Sequence, residues 1–394
     1  MTRRPAVTAL AAVRDYQALA KRRLPRIVGD YLEGGAEDLR TLSRNRRAYD
    51  SLLFKPSVLT DVSTVDAGVE VFGRRWALPA AVGPTGLNGL YYPRAEEALA
   101  AAAHAAGLPF VLSTASTSLL EDVRQASDGD LWLQLYVQRD RRIAQRMMER
   151  ARAAGYSVLV LTVDTPVHGV RDHDVRNGFR MPLPITPRLV ADVLSHPAWC
   201  LRMARQGGSP QLVNLARSAG AAVNLQAQAA AMSRQMDMSL DWQAIDWLRE
   251  HWPGRVLVKG ILSVDDALRA RSAGVDGIVL SNHGGRQLEG APSPLELLPS
   301  VVEAVGPSLT VLVDGGIRRG SDIVKAKALG AHAVLLGRAP LYGLAARGPS
   351  GSAEVLQILR NEFETTLRLL GCTDAARLGP AVLQPGWAHQ LAML

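Results

Sequence analysis

A histidine and an arginine three residues apart are the side chains of this sequence best suited to do chemistry. His283 and Arg286 lie in the run SNHGGRQL at residues 281–288, directly after the apolar run GIVL at 277–280. An imidazole can take up a proton near neutral pH, and a guanidinium offers a planar pair of donors to a carboxylate. Together they predict proton abstraction from a small acid. The alternative is that His283 only caps a strand.

Eight short apolar runs predict the strands that would position these side chains. None of them shows polar alternation, which is the pattern of strands buried on both faces. The runs are 80–82, 110–112, 131–135, 158–161, 256–258, 278–280, 311–313 and 333–336. Amphipathic segments that end in glycine separate most of them, at 95–107, 141–155, 264–274, 295–306 and 323–330. This alternation predicts the α/β fold class, as a (β/α)8 TIM barrel with its functional residues at the carboxyl ends of the strands.

Polar or charged side chains follow nearly every one of the eight runs. After the first four come Thr85 and Gly86, Ser113, Gln134 with Tyr136, and Thr162 with Asp164. After the last four come Lys259, His283, Asp314 with Gly316, and Gly337 with Arg338. A barrel with a purely structural role would not need such a ring at one rim. The reading of His283 as a site residue is therefore favoured over the capping alternative.

Two glycine-rich turns near the end of the predicted barrel indicate a phosphate site. The run DGGIRRGSD at 314–322 follows the seventh strand, and Gly337 and Arg338 follow the eighth. Barrels commonly bind phosphate there, because glycines let backbone N–H groups approach the anion. Arg318 and Arg338 would neutralise its charge. The sequence contains neither G-x-G-x-x-G nor Walker A, so a nicotinamide Rossmann site and a P-loop are disfavoured.

The segments outside the barrel are a leader, an insertion and a tail. Residues 1–76 are predicted as a leader packed on the barrel, helical over 13–33 and with a hairpin near 69–74, and residues 373–394 as a C-terminal tail. The barrel unit, residues 77–372, is interrupted after its fourth strand by an insertion at about 180–230. Trp199, leucines and arginines in this insertion suit a membrane interface. The alternative is a lid or a subunit contact.

Length, charge and cysteine content narrow the class of protein. The 394 residues allow one large barrel or two ordinary domains. The net charge of +8 is dispersed and no nucleic-acid-binding motif accompanies it, so we expect no nucleic-acid partner; an anionic membrane surface would fit the charge equally well. The two cysteines match no disulfide framework, and the spacing of His168, His173 and Asp174 matches no standard metal site. We expect a cytoplasmic protein without a metal.

The motifs together resemble the FMN-dependent 2-hydroxy acid oxidase and dehydrogenase family over residues 16–372. The motifs are SNHGGRQL at 281–288, QLYV at 134–137, LTVD at 161–164, VKG at 258–260 and DGGIRRG at 314–320. The runs YLEGGAED at 31–38, GPTGLNG at 83–89 and MSRQMD at 232–237 most resemble the membrane-associated members of the family that oxidise (S)-mandelate.

Carried over by position, the resemblance implies a role for each site residue. It makes His283 the base that removes a substrate proton and Asp164 the group that stabilises the resulting imidazolium. Arg171 and Arg286 would hold the substrate carboxylate, and Tyr31 and Tyr136 its carboxylate or hydroxyl. FMN would be the cofactor, with its ring surrounded by Thr85, Gly86, Ser113, Gln134, Thr162 and Lys259, its phosphate held by Arg318, Gly337 and Arg338, and Asp314 and Gly316 also at the cofactor. A cation such as Lys259 would stabilise the negative charge of reduced flavin.

The resemblance also implies an activity and partners. The expected activity is oxidation of an (S)-2-hydroxy acid, mandelate or a similar aromatic acid, to the 2-oxo acid, with electrons passed to a membrane quinone. L-lactate oxidation within the same family is one alternative. A soluble oxidase that forms peroxide is another, although Gly86 departs from the alanine common in the family's oxidases. A nucleotide-binding barrel without redox turnover is a rival of a different class. We expect a homo-oligomer, a tetramer, attached peripherally to the inner face of the cell membrane.

Overall fold

Eight parallel strands form a closed barrel at the centre of the chain. The computed structural model describes residues 9–179, 186–205, 208, 210–219 and 236–393. An antiparallel hairpin of β1, Val69–Val71, and β2, Arg74–Trp76, precedes the barrel. The barrel strands are β3, Ala80–Val82; β4, Phe110–Ser113; β5, Leu131–Leu135; β6, Val158–Thr162; β7, Arg255–Ile261; β8, Gly277–Leu280; β9, Thr310–Asp314; and β10, Ala333–Leu336. Since β10 pairs with β3, the barrel closes and leaves no edge, and the predicted fold class is confirmed.

The apolar runs became strands because the barrel buries both of their faces. Every residue of β4, β5, β6, β8 and β10 is buried. The inner face of a parallel strand packs within the barrel and its outer face against the surrounding helices, so an unbroken apolar run satisfies both. Each of the eight predicted runs lies within one of the observed strands.

Helices connect most successive strands on the outside of the barrel. They span Ala95–Ala105, Leu120–Ala126, Arg141–Ala153, Ala244–His251, Val264–Ser272, Pro294–Val305 and Gly320–Ala328. Two further helices, Arg338–Arg347 and Pro349–Leu369, follow the last strand, and a short helix at Trp387–Ala392 lies in the tail. All five predicted crossover segments overlap one of these helices. Gly107, Gly155 and Gly274 end theirs at φ values of 70, 76 and 73°, a left-handed conformation that glycine adopts without a steric penalty.

The leader consists of three helices: Val13–Arg23, Arg26–Glu33 and Arg40–Ser51. The helical pattern predicted over 13–33 is interrupted, because Leu24 is extended and Pro25, which cannot continue the first helix, begins a new one. The third helix, Arg40–Ser51, was not predicted. It lies against the loops that follow β8 and β9, and this places part of the leader at the candidate site.

The insertion after β6 is described in part. The helix Asp172–Arg176 precedes it, and its described helices are Pro187–Leu194, Pro197–Arg205 and Val213–Ala219. Residues 220–235, which include the end of the predicted insertion and most of the MSRQMD run, lie outside the described residues. Within the described part of the chain, no helix combines the length and the apolar character that crossing a membrane requires.

Candidate active site

A cavity of about 620 Å³ opens at the carboxyl ends of the barrel strands. Its walls come from the ends of the barrel strands and the loops that follow them, together with Tyr31 and Leu32 from the leader. Every site residue predicted from the sequence lines this cavity except Asp164, which contacts His283 from outside it. The barrel therefore brings together residues from the ends of all eight strands, as the rule for carboxyl-end loops predicts, and the leader adds Tyr31.

His283 lies between a carboxylate and a phenol. Its Nδ1 is 3.0 Å from Oδ1 of Asp164, and its Nε2 is 3.4 Å from the hydroxyl of Tyr136. Burial raises the pKa of Asp164, but the charge of His283, their hydrogen bond and the charge of Lys259 together outweigh burial and leave this pKa below its ordinary value. An ionised carboxylate at Nδ1 favours the tautomer that carries its proton there, which leaves Nε2 free to accept a proton.

The backbone of His283 is strained. Its φ is 59°, in the left-handed region, which costs a residue with a side chain about 1–2 kcal/mol. The conformation is held on one side by a hydrogen bond from the His283 N–H to Oγ of Ser281, at 3.0 Å. Gly284 and Gly285 follow with φ values of 64 and 75°. This tight turn directs the imidazole back over the barrel mouth.

Two arginines meet at one side of the cavity. NH1 of Arg286 donates to the carbonyl oxygens of Tyr31, at 2.9 Å, and Gly34, at 2.7 Å, and its guanidinium lies 4.8 Å from the centre of the Tyr31 ring. Nε of Arg171 donates to the carbonyl of Arg286 at 3.4 Å. Burial, followed by the charge of Arg286, lowers the pKa of Arg171. Two neighbouring cations in a buried site are stabilised by an anion, and their planar forks suit a carboxylate.

Lys259 supplies a buried positive charge at the end of β7. Its side chain is 5% exposed; Nζ donates to Oγ of Ser281 at 2.9 Å and lies 3.1 Å from Oδ2 of Asp314. Burial lowers the pKa of Lys259, but the charges of Asp314 and Asp164 outweigh it and raise this pKa. The lysine therefore stays charged over the working pH range. Asp314, predicted at the cofactor, contacts this lysine.

The polar atoms of the cavity fit a flavin. Oγ of Ser113 donates to Oε1 of Gln134 at 2.9 Å, which fixes the orientation of that amide. Nε2 of Gln134 and Oγ1 of Thr162 are buried and have no hydrogen-bond partner within the described part of the chain. Buried polar groups are normally hydrogen-bonded. The polar edge of an isoalloxazine ring, with alternating N–H and carbonyl groups, would satisfy both.

The predicted phosphate end lies at the loops after β9 and β10. Gly315 and Gly316 have φ values of 88 and 82°, and a Cβ on Gly316 would lie 2.3 Å from the carbonyl oxygen of Asn45. Only glycine fits so close to the leader. The Arg318 guanidinium lies 5.3 Å from the Tyr342 ring and lines the cavity. These features match the glycine-rich, cationic loop expected for a phosphate.

Arg338, predicted at the phosphate, also makes three hydrogen bonds that the sequence did not predict. Its Nε, NH1 and NH2 donate to the carbonyl oxygens of Leu32, Gly284 and Gly34, at 2.9, 3.0 and 2.6 Å. Burial, and then the charge of Arg286, lowers the pKa of Arg338 to about 10. This arginine therefore joins the leader to the loop of His283 while it also lines the predicted phosphate end.

Sequence reasoning missed an aromatic wall. The Phe179 ring stacks on the Tyr31 ring, with centroids 4.4 Å apart and planes at 19°. Both rings pack against a cluster that contains Leu87 and Leu212, and all four residues line the cavity. The end of the cavity beside the two arginines is thus apolar and suits an aromatic side chain. The available signal was weak: Phe179 is one aromatic residue, eight positions after Arg171, in a segment without periodicity.

Known proteins resemble this chain over nearly its whole length. A family model described as FMN-dependent dehydrogenase matches residues 20–385. The sequence is 51% identical to (S)-mandelate dehydrogenase of Pseudomonas putida, over 94% of this chain and 93% of that protein. It is 42% identical to L-lactate dehydrogenase of Caulobacter vibrioides, over 95% of this chain and 97% of that protein.

Solved structures also resemble this chain over nearly its whole length. The crystal structure of the monotopic membrane protein (S)-mandelate dehydrogenase matches with a TM-score of 0.92 and 51% identity, covering 96% of this chain and 100% of that one. A soluble mutant of the membrane-associated enzyme from Pseudomonas putida has a TM-score of 0.83 at 48% identity, over 95% of this chain and 99% of that one. A mandelate oxidase is more distant, with a TM-score of 0.81 at 36% identity, over 95% of this chain and 98% of that one.

Proposed function

This chain belongs to the FMN-dependent dehydrogenase family, and we propose that it oxidises an (S)-2-hydroxy acid with an aromatic side chain, mandelate or a close analogue, to the 2-oxo acid. One observation carries the proposal. His283, which is paired with Asp164, lines a cavity where two arginines stand beside the stacked rings of Tyr31 and Phe179. A base, a carboxylate clamp and an apolar wall are the three features that such a substrate requires.

The residues divide the work as follows. Arg286 and Arg171 bind the carboxylate of the substrate, and Tyr136 holds its hydroxyl next to His283. Nε2 of His283 takes a proton from the substrate, and the ionised Asp164 stabilises the imidazolium that forms. FMN, when bound, accepts the two electrons that leave the substrate. Lys259 keeps a positive charge at the flavin end of the cavity.

We further propose that electrons leave through a membrane quinone and that the insertion attaches the enzyme to the inner face of the cell membrane. The described insertion helices expose Val190, Leu194 and Leu201, at 42, 68 and 52%. Arg188 and Arg205 are exposed on the same two helices. Apolar area contributes about 25 cal/mol per Å² on burial, and each basic residue adds roughly 1 kcal/mol near an anionic leaflet. The solved relative described as monotopic supports this attachment.

Trp199 does not belong to that face. Its indole N–H donates to the carbonyl of Leu90 at 2.8 Å, and its ring packs against the main hydrophobic core. The sequence suggested Trp199 as an interface residue because tryptophan is common at membrane interfaces. In the structure it fixes the insertion to the protein, so the leucines and the valine are the residues we propose for the bilayer contact.

We also propose a homotetramer, as the family resemblance implies; light scattering of the purified enzyme measures its mass.

Anaerobic flavin reduction by a panel of acids tests the proposed activity. Purified enzyme is mixed with (S)-mandelate, L-lactate or glycolate in the absence of oxygen, and the loss of flavin absorbance is followed. Mandelate is expected to bleach the flavin with the highest ratio of the limiting reduction rate to the substrate dissociation constant. Faster bleaching by lactate would favour the lactate dehydrogenase alternative, and no bleaching by any acid would contradict the proposed chemistry. Peroxide formed in stoichiometry with product in air would identify an oxidase.

A further inference from the structure

A reciprocal pair of buried amides joins the leader to the loop of His283. Nδ2 of Asn45 donates to Oδ1 of Asn282 at 2.8 Å, and Nδ2 of Asn282 donates to Oδ1 of Asn45 at 2.7 Å. The two residues are 237 positions apart and are 0 and 3% exposed. Side-chain amides that exchange two hydrogen bonds in a buried place fix each other's orientation as well as their separation.

Asn282 uses all of its hydrogen-bonding capacity in this arrangement. Its Oδ1 also accepts the backbone N–H of Gly285, at 3.0 Å, and its Nδ2 also donates to the carbonyl of Pro292, at 3.0 Å. The side chain of Asn282 thus spans the turn that holds His283 in its left-handed conformation. A strained residue persists only where its surroundings over-determine it. The Asn45 amide is one of those surroundings, and it comes from outside the barrel.

Asn45 also contacts the loop after β9. A Cβ on Gly315 would lie 3.1 Å from Nδ2 of Asn45, and one on Gly316 would lie 2.3 Å from its carbonyl oxygen. The next residue, Arg46, donates to the carbonyl of Gly316 at 2.7 Å and pairs with Asp322, whose carboxylate accepts the backbone N–H groups of Arg318 and Arg319. One turn of the helix Arg40–Ser51 therefore fixes both the base loop and the glycine loop.

We propose that Asn45 is a positioning residue for proton abstraction, which acts through Asn282 on the backbone of His283. The inference rests on the role proposed above for His283. Without the amide of Asn45, Asn282 keeps a buried donor and a buried acceptor short of partners, and the turn relaxes toward an unstrained backbone. The imidazole then leaves its place between Asp164 and Tyr136. Misplacement of a reacting group by about 1 Å can cost roughly a hundredfold in rate.

The rate of flavin reduction and substrate affinity are expected to respond differently. Asn45→Ala should lower the limiting rate of anaerobic flavin reduction by about ten- to a hundredfold. The dissociation constant of the substrate should change by less than about threefold, since Arg286 is anchored separately by the carbonyls of Tyr31 and Gly34.

Asn45→Asp keeps the shape of the side chain but lacks the Nδ2 donor, so it replaces the alanine variant if that variant does not fold. Amide hydrogen exchange in the FMN-free chain should become faster at residues 282–286 in either variant.

Thr41 supplies a matched control on the same helix. It is 1% exposed, and its hydroxyl accepts the N–H of Gly290 at 2.8 Å and donates to the carbonyl of Leu288 at 3.3 Å, at the far end of the loop, rather than bonding either amide. Thr41→Val removes a buried hydrogen bond and should lower stability, but it should leave the reduction rate within about twofold of wild type, because its partner Gly290 lies beyond the turn of His283. An equal loss in Thr41→Val and Asn45→Ala would overturn the proposal, because it would show a general effect of leader packing.

A double-mutant cycle tests whether Asn45 acts through Asn282. In an Asn282→Ala background, Asn45→Ala should cause little further loss, since the contact is already removed. Losses that multiply would overturn the inference, as would a normal reduction rate in Asn45→Ala. The measurement separates the two levels of argument. If His283→Ala still reduces its flavin, the proposed function is wrong; if only the Asn45 result fails, the positioning role alone is wrong.

Discussion

Nδ1 of His283 lies 3.0 Å from Oδ1 of Asp164, although the two residues are 119 positions apart. They follow β8 and β6, the strands on either side of β7, and the buried Lys259 of β7 adds its charge to the same site. The pair keeps the imidazole oriented and the carboxylate ionised. One substitution of the carboxylate tests the pair in two ways, through the rate of flavin reduction and through the pH dependence of stability.

Asp164→Asn should slow flavin reduction by about a hundredfold or more, because the imidazolium loses its stabilising charge. Absorbance at flavin wavelengths should show unchanged FMN content, since the variant alters a residue outside the cavity wall. Stopped-flow reduction under anaerobic conditions measures the rate. A rate within a few-fold of wild type would contradict the role proposed for Asp164.

The same variant should change how stability depends on pH. The pKa of Asp164 is lower in the folded protein than the ordinary value of 3.8. The ionised carboxylate therefore adds to the free energy of unfolding above pH 3.8, and this stabilisation is lost as the pH falls through the pKa of the folded protein. The difference in Tm between wild type and Asp164→Asn should therefore be largest near neutral pH and should shrink below about pH 4. Thermal melts over this range measure it; a constant difference would contradict the expectation.

Arg286→Lys should weaken substrate binding although it keeps the charge. NH1 of Arg286 already donates to two carbonyls, and a lysine cannot hold those contacts while it also offers a fork to the substrate carboxylate. The loss of a charge-assisted pair should raise KM by about tenfold or more. Steady-state kinetics with mandelate measure it. If KM does not change, the clamp belongs to Arg171 alone.

Phe179→Ala should change selectivity between substrates. The stack on Tyr31 gives the cavity its aromatic wall, so its removal should lower kcat/KM for mandelate by about ten- to a hundredfold, the range expected when a buried aromatic contact is lost. Glycolate, which has no side chain to contact the wall, should lose much less. Equal losses for both acids would mean that Phe179 acts through general packing.

The exposed insertion face should control membrane attachment without affecting chemistry. Leu194 and Leu201 are 68 and 52% exposed, so Leu194→Glu with Leu201→Glu should move the enzyme from the membrane pellet to the supernatant. Anaerobic flavin reduction should stay within about twofold of wild type, as expected for exposed positions away from the site. Leu369→Glu, at a position 70% exposed on the helix Pro349–Leu369, is the control and should not release the enzyme. Wild type found wholly in the supernatant at low salt would exclude the attachment.

Much of the barrel could be predicted, because buried parallel strands need unbroken apolar runs and their carboxyl ends hold the site. Local pattern carries that information, so His283, Arg286 and Lys259 could be placed at one rim from the sequence. The amide pair of Asn45 and Asn282 could not, since nothing in the polar helix Arg40–Ser51 identifies a partner 237 positions away. The sequence also could not show which way the Trp199 side chain points, because a tryptophan suits a lipid interface and a packed protein contact equally well.

His283→Ala tests the central claim most directly. FMN contacts are predicted on other strands, so the variant should purify with its flavin, while anaerobic reduction by (S)-mandelate should fall by about a hundred- to ten-thousandfold, the contribution of a positioned base. Circular dichroism and flavin content serve as checks on folding. Loss of reduction with FMN retained is the result that the account predicts. Flavin reduction at a near-normal rate in His283→Ala would contradict it.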